Sequence, residues 1–204
     1  MIRGLQLGGN GAFAPLLICA NLQNETAFPE HAGAEAKAVL DRCTSLLARW
    51  REERWPVAHL RRIARPSWFD PLRDRSDWID GFRPRPGELT FEHALPSAFS
   101  STRFAEYIRN VRPSPNLLIG CSLDQTILAT TIDAFHRGHQ FHVVEDAVLC
   151  VTRDKPPDAG AARHEIVLQI LQVFGERVRS EAIITSQSQP RSRGALAANS
   201  SGGQ

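Results

Sequence analysis

The stretch LLIGCSLDQTILATTIDAFHRGHQFHVVEDAV, residues 117–148, decides the fold. It begins with a continuous apolar run, which is typical of a strand that is buried on both faces. A turn follows, and then a helix over 124–138 that ends at Gly138, a residue type suited to the position after a helix. A second strand is predicted over 140–148. This is the layout of an enzyme active-site segment, in which the first turn of the helix presents a nucleophile; the residue there is Thr126.

The same alternation of strand and helix continues on both sides of this stretch. Strands are predicted over 14–23, 55–62 and 177–184, and helices over 33–53, 100–111 and 162–175. In the first helix, Leu40, Leu47 and Trp50 should face the sheet. Residues 63–90 are rich in Pro, Arg, Asp and Trp, show no period, and are predicted to form a long ordered loop. The pattern predicts an α/β protein, a three-layer α/β/α sandwich with a mostly parallel central sheet.

Length and composition suit one globular domain, because 204 residues with 42% hydrophobic side chains can bury a sizeable core. We place that domain at residues 1–186 and a polar, Gly/Ser-rich tail at 187–204. A net charge of +2 gives no reason to expect nucleic acid or membrane as a partner. The cysteines show no C-x-x-C spacing, which favours reduced thiols, and no signal peptide or membrane-spanning run is evident. We therefore expect a cytoplasmic protein.

Three motifs carry a resemblance to a known family. They are LLICANLQNE (16–25), PGELTFEHALPSAFSSTRF (86–104) and the stretch quoted above, in that order along the chain. Together they resemble the isochorismatase-like, or cysteine hydrolase, superfamily, and the likeness extends over roughly residues 14–185. The resemblance implies the isochorismatase-like hydrolase fold. It also implies a small-molecule ligand or substrate and a homo-oligomer as partners.

The resemblance implies a catalytic Asp after the first strand, a Lys before the SAF motif and a nucleophilic Cys opening the helix. This chain has Asn21, His93 and Thr126 at those positions. A threonine hydroxyl is far less acidic than a thiol, and Asn21 cannot accept a proton, whereas His93 could. Two hypotheses follow. One is a catalytically impaired protein, a pseudoenzyme that keeps a small-molecule pocket; the other is an active hydrolase of a carbonyl, ester, amide or vinyl-ether substrate that uses Thr126 and His93.

The resemblance also implies a cis peptide at Cys121–Ser122 and an oxyanion hole made by the backbone N–H groups of Ser122 and Thr126. We assign Cys121, Ser122 and Gln23 to this oxyanion and substrate-binding side of the site. Cys121 itself is interpreted as a small buried residue at the end of a strand rather than as a displaced nucleophile.

No metal or cofactor is assigned. His136, His139 and His142 are regularly spaced, but Gly138 separates helix from strand, so their rings should point in different directions. After the second predicted strand, where nicotinamidases bind metal, only His59 is nearby.

Several arginines could frame a pocket for a carboxylate or could instead form a solvated loop surface. They are Arg61, Arg62, Arg65, Arg83 and Arg85.

Overall fold

The fold is taken from a computed structural model, which describes residues 15–24, 34–63, 77–111, 116–150 and 158–185. The predicted tail at 187–204 and residues 64–76 of the predicted loop at 63–90 lie outside these ranges. Within them, no helix combines the length and the apolar character that crossing a membrane requires.

Six strands form one sheet with the order β3-β2-β1-β4-β5-β6, and every neighbouring pair is parallel. The strands are β1 (Leu16–Ala20), β2 (Val57–Arg62), β3 (Leu89–His93), β4 (Asn116–Cys121), β5 (Phe141–Leu149) and β6 (Glu176–Val178). The helices are α1 (Ala34–Glu52), α2 (Thr102–Asn110), α3 (Leu128–His136), α4 (Asp158–Leu171) and α5 (Ser180–Thr185). This confirms the predicted α/β class and its parallel sheet.

One face of the sheet is covered by α1 and α5. The apolar stripe of α1 packs against β4 and β5, with Leu47 and Trp50 fully buried and Leu40 partly buried, as the helical spacing predicted. The Trp50 indole N–H donates to the carbonyl of Pro15 at 2.9 Å, so the polar end of this large side chain is also satisfied. The first predicted helix therefore exists with the predicted core face.

The opposite face is covered by α2, α3 and α4. Phe104 of α2, Ala134 of α3 and Leu168 of α4 join the alternate side chains of the strands in a second core. Helices thus lie on both faces of the sheet, which is the arrangement that parallel strands require, since each crossover must return over one face.

Two predictions about single elements were wrong. The predicted loop over 63–90 is wrong in its last two residues, because Leu89 and Thr90 begin an unpredicted strand, β3, at the edge of the sheet. The strand predicted over 177–184 is only three residues long, and α5 occupies most of that segment. Ser180 begins the helix, and both its N–H and its hydroxyl donate to the Asp146 carboxylate, at 2.9 and 2.6 Å.

The strand order reverses direction between β1 and β4, because β2 and β3 extend from β1 on one side while β5 and β6 extend from β4 on the other. The two central strands approach each other closely: a Cβ built on Gly120 would lie 2.3 Å from the carbonyl oxygen of Ala20. Only glycine fits there, also because its φ is +108°. In open parallel sheets, ligands bind outside the carboxyl ends of the strands at such a reversal.

Candidate functional site

Asn21 directly follows β1 at the carboxyl edge of the sheet. Its φ of 48° is left-handed, a conformation that asparagine tolerates better than most residues. Its N–H donates to the carbonyl of Leu60 in β2 at 3.0 Å, which fixes the backbone where the strand ends. The side chain is buried, so its carboxamide must find its hydrogen-bond partners within the protein.

Thr126 lies in the π-helical turn Leu123–Ile127, between β4 and α3. The peptide bond between Cys121 and Ser122 that leads into this turn is cis, as the resemblance implied. The Thr126 side chain is completely buried, and its Oγ1 lies 2.9 Å from Asn21 Nδ2. The Thr126 hydroxyl, in the turn after β4, therefore contacts the Asn21 carboxamide, which follows the neighbouring strand β1.

His93 is the last residue of β3 and lies on the other side of the carboxamide. Its Nε2 lies 2.8 Å from Asn21 Oδ1, and its Nδ1 lies 2.7 Å from the carbonyl oxygen of Leu95. His93 makes no hydrogen bond to Thr126. The structure therefore brings the three predicted residues together, but with the amide of Asn21 between the hydroxyl and the imidazole.

Burial lowers the pKa of His93 below its ordinary value, and the positive charge of Arg62 lowers it further, against the opposing effect of the Leu95 carbonyl. The ring is then neutral at neutral pH and carries one N–H. Because Nδ1 faces a carbonyl that can only accept, that hydrogen sits on Nδ1. Nε2 is left as an acceptor.

This protonation state determines how the Asn21 amide is oriented. An acceptor at Nε2 cannot pair with Oδ1, but the two ends of a carboxamide have nearly the same shape. A half-turn places Nδ2 against His93 and Oδ1 against Thr126, whose hydroxyl then donates. The resulting chain runs from the Thr126 hydroxyl to Asn21, from Asn21 to His93, and from His93 to the Leu95 carbonyl, and it contains no formal charge.

The segment after His93 is fixed to α3. The N–H of Ala98 donates to Thr130 Oγ1 at 3.0 Å, and Thr130 is buried one helical turn after Thr126. A side-chain hydroxyl of the helix therefore sets the distance between the SAF motif and the start of α3.

Three further predicted site residues are all buried. Burial raises the pKa of the Cys121 thiol well above its ordinary value, which makes a reactive thiolate unfavourable at this place. Ser122 Oγ is buried and meets no hydrogen-bond partner among the residues that the structure describes. The Gln23 amide accepts from the N–H of Arg62 at 2.8 Å and donates to its carbonyl at 3.2 Å, so Gln23 braces the end of β2.

The three spaced histidines point to different places. His136 is exposed, His139 stacks on Phe99, and His142 is buried in β5 beside Glu176. Within the described ranges, no group of three or more His, Cys, Asp or Glu side chains is arranged to hold a metal ion.

A largely buried charged cluster around Glu88 was not predicted from the sequence. Glu88 accepts from Arg51 at 2.7 and 2.9 Å and from the N–H of Arg85 at 2.9 Å, and it lies 2.7 Å from His59 Nε2. Burial opposes its ionisation, but these donors outweigh that effect and lower the pKa of Glu88 to about 2. The cluster joins α1, β2 and the segment before β3, which no local sequence pattern could indicate.

Comparison with known proteins agrees with the fold. The family model of the isochorismatase domain matches residues 15–174, so the chain belongs to the isochorismatase family. The fold is similar to that of an isochorismatase from Pseudomonas putida KT2440, with 22% identity, a TM-score of 0.70, and coverage of 82% of this chain and 89% of that one.

Two further solved structures share the fold. For N-carbamoylsarcosine amidase from Thermoplasma acidophilum, the identity is 23% and the TM-score 0.63, over 82% of this chain and 96% of that one. For a cysteine hydrolase from Pseudomonas syringae pv. phaseolicola 1448A, the identity is 19% and the TM-score 0.67, over 84% of this chain and 91% of that one.

Proposed function

We propose that this chain is a catalytically impaired or non-catalytic member of the isochorismatase family that retains a small-molecule pocket. The observation that carries the proposal is the Asn21 carboxamide, which contacts Thr126 at 2.9 Å on one side and His93 at 2.8 Å on the other. Asn21, His93 and Thr126 are proposed to occupy the positions where the family has its Asp, Lys and Cys.

Nucleophilic catalysis needs a base that takes the proton of the attacking group. The group in contact with the Thr126 hydroxyl is a carboxamide, which does not take up a proton at neutral pH. His93 could act as a base, but Asn21 lies between its Nε2 and the hydroxyl, and its Nδ1 is bonded to Leu95. The Thr126 hydroxyl can therefore donate a hydrogen bond to the Asn21 amide, but in this arrangement it contacts no base that could remove its proton.

The substitutions also make sense as a set. A buried carboxylate that loses its cationic partner destabilises a protein by about 3–5 kcal/mol, whereas neutral replacement of both partners can be tolerated. Asn21 and a neutral His93 replace the family's Asp and Lys with no net change in charge. This preserves a folded site while removing the carboxyl group, which would accept a thiol proton as a carboxylate or protonate a vinyl ether as a carboxylic acid.

The alternative is an active hydrolase of a small carbonyl, ester, amide or vinyl-ether substrate that uses Thr126 and His93. The observation in its favour is that hydroxyl, amide and imidazole form one continuous hydrogen-bonded chain. For this chemistry, Asn21 would have to rotate away so that His93 could reach the hydroxyl.

The proposal is tested by restoring the family residues. The wild-type protein should not hydrolyse nicotinamide or other simple amides, and Thr126→Cys alone should react slowly with iodoacetamide. The triple variant with Asn21→Asp, His93→Lys and Thr126→Cys should be alkylated rapidly near neutral pH, by more than the single changes add up to.

The four native cysteines are all buried, so wild-type protein gives the background alkylation rate. Wild-type amide or ester hydrolysis that is abolished by both Thr126→Ala and His93→Ala would contradict the proposal and establish the alternative.

A further inference from the structure

Arg62 ends β2 beside the candidate site, and its backbone is held on both sides. Its N–H and its carbonyl are both bonded by the buried amide of Gln23. In the parallel register Arg62 is opposite His93 of β3, and it is two residues beyond Leu60, which packs in the α2–α3–α4 core. Since alternate residues of a strand share a face, the Arg62 side chain leaves the sheet on that same face.

The guanidinium extends across the carboxyl end of β1 to the start of α3. Its Nη1 donates to Gln125 Oε1 at 3.0 Å, and Gln125 directly precedes Thr126. On its other side, the charge is close enough to lower the pKa of His93. The cation therefore lies beside the neutral Asn21 chain, between the end of β3 and the beginning of α3.

The neighbouring arginines already have carboxylate partners. Arg61 pairs with Glu92, Arg51 with Glu88, and Arg83 with Asp77. Arg62 is different: across the described ranges, no carboxylate lies within ion-pair distance of it, and its side-chain acceptor Gln125 is neutral. Its remaining N–H groups and its full charge are therefore available to a ligand.

The geometry points to Arg62 as the residue that selects the ligand: the pocket takes a small molecule with a carboxylate, which pairs with the Arg62 guanidinium beside Asn21 and Thr126. A guanidinium presents two parallel N–H groups that match the two oxygens of a carboxylate. One cation beside an uncharged network suits a monoanion rather than a phosphate dianion. This inference rests on the retained pocket proposed above and adds the chemical class of its occupant.

The test compares ligands of equal shape that differ in charge. Acetate is paired with acetamide and benzoate with benzamide, and binding is followed by chemical-shift titration of ¹⁵N-labelled protein. At least one carboxylate should bind saturably and about tenfold or more tightly than its amide, a ratio expected of a charge-assisted hydrogen bond. Arg62→Gln should remove this preference, and Arg62→Lys should retain part of it.

Arg61→Gln is the matched control, because Arg61 is on the same strand, half-exposed and paired with Glu92. It should leave carboxylate binding unchanged. The inference is overturned if neither carboxylate binds, if the amides bind equally well, or if Arg62→Gln and Arg61→Gln have equal effects. Inorganic phosphate that binds through Arg62 in place of both carboxylates would also overturn it.

The titration does not depend on turnover, since neither carboxylate contains a bond that hydrolysis would break. Wild-type amidase activity would therefore contradict the proposed function but would not affect the inference that Arg62 selects a carboxylate. A protein without hydrolase activity that binds benzamide and benzoate equally tightly would contradict carboxylate selection but agree with the proposed function.

Discussion

Two buried histidines, His59 and His93, lie on neighbouring strands and hold their hydrogens on opposite nitrogens. His59 Nε2 faces the ionised carboxylate of Glu88 at 2.7 Å and must donate to it, whereas His59 Nδ1 meets no partner in the described part of the chain. His93 donates through Nδ1 to the Leu95 carbonyl, and in the inferred orientation of the Asn21 amide its Nε2 accepts from Asn21 Nδ2. Burial lowers the pKa of both rings, so both are neutral.

The difference lies in what the histidines contact. The His59 cluster consists of His59, Glu88 and Arg51. It contains the ion pair between Glu88 and Arg51, and it connects three segments of the chain. The His93 chain has no charge, although we propose that it occupies the place where this family carries out its chemistry. Buried charge is costly unless it is paired. In this molecule the charged cluster serves stability, and the neutral chain leaves the candidate site without a base in contact with Thr126.

The largest change in stability is expected when the carboxylate is removed from the His59 cluster. Glu88→Ala should lower the free energy of unfolding by about 2–3 kcal/mol, because it removes the charge-assisted hydrogen bonds of the largely buried Arg51 guanidinium. Urea unfolding measures the change. Glu92→Ala is the matched control, since Glu92 pairs with Arg61 at the surface and should cost only about 0–1 kcal/mol. Equal effects would show that the cluster is not structural.

Acid should weaken the fold in two stages. The pKa values of His59 and His93 are lowered from 6.5, so the unfolded chain binds protons first and stability falls as the pH drops below 6.5. The pKa of Glu88 is lowered to about 2, so its contribution is complete above 4.5 and is lost as the pH falls from there through about 2. Urea midpoints across this range measure the decline. A Glu88→Gln protein that declines as steeply as wild type below pH 4.5 would refute the second stage.

A smaller loss of stability is expected when the uncharged hydrogen-bonded chain of Thr126, Asn21 and His93 is changed. Thr126→Val keeps the shape of the side chain but removes the hydroxyl that contacts Asn21, so it should cost about 1 kcal/mol. Thr102→Val, at the exposed first position of α2, should change the unfolding free energy by less than about 0.5 kcal/mol. A loss of several kcal/mol in Thr126→Val would mean that the hydrogen bonds among Thr126, Asn21 and His93 are as important for stability as the charged cluster.

The tautomers themselves can be observed without disturbing stability. Long-range ¹H–¹⁵N spectra at neutral pH should show the hydrogen of His59 on Nε2 and that of His93 on Nδ1. Arg62→Gln should raise the pKa of His93, because the charge of Arg62 helps to lower it, and should leave the His59 tautomer unchanged. Finding the His93 hydrogen on Nε2 would reverse the inferred orientation of the Asn21 amide.

Much of this architecture is predictable from sequence because the central elements have strong local signals. Buried runs such as 117–121 and the stripe containing Leu47 and Trp50 led to the correct strands, helix face and layer arrangement. The edge strand β3 was missed because only Phe91 and His93 of its five residues are buried, so it has little apolar character. The segment 177–184 was misassigned because the Ser180–Asp146 contact, which anchors the start of α5, joins residues 34 positions apart.

For the candidate site, the motifs indicated which residues meet but not how they are connected. Asn21 follows β1, His93 ends β3 and Thr126 lies in the turn after β4. Their convergence follows from a parallel sheet whose carboxyl ends share one edge. Sequence spacing does not encode side-chain directions. It therefore could not show that the Asn21 amide separates Thr126 from His93, or that Arg62 reaches Gln125.

Acyl transfer tests whether Asn21 separates Thr126 from every base that could activate it. The protein is incubated with p-nitrophenyl acetate, and release of p-nitrophenol is followed together with peptide mass mapping. We predict no burst and no acetyl group on the peptide that carries Thr126, while the triple variant, as a positive control, is acetylated at position 126. A burst of one equivalent with the acetyl group on Thr126, absent in Thr126→Val, would contradict the account, because the threonine would then be a working nucleophile.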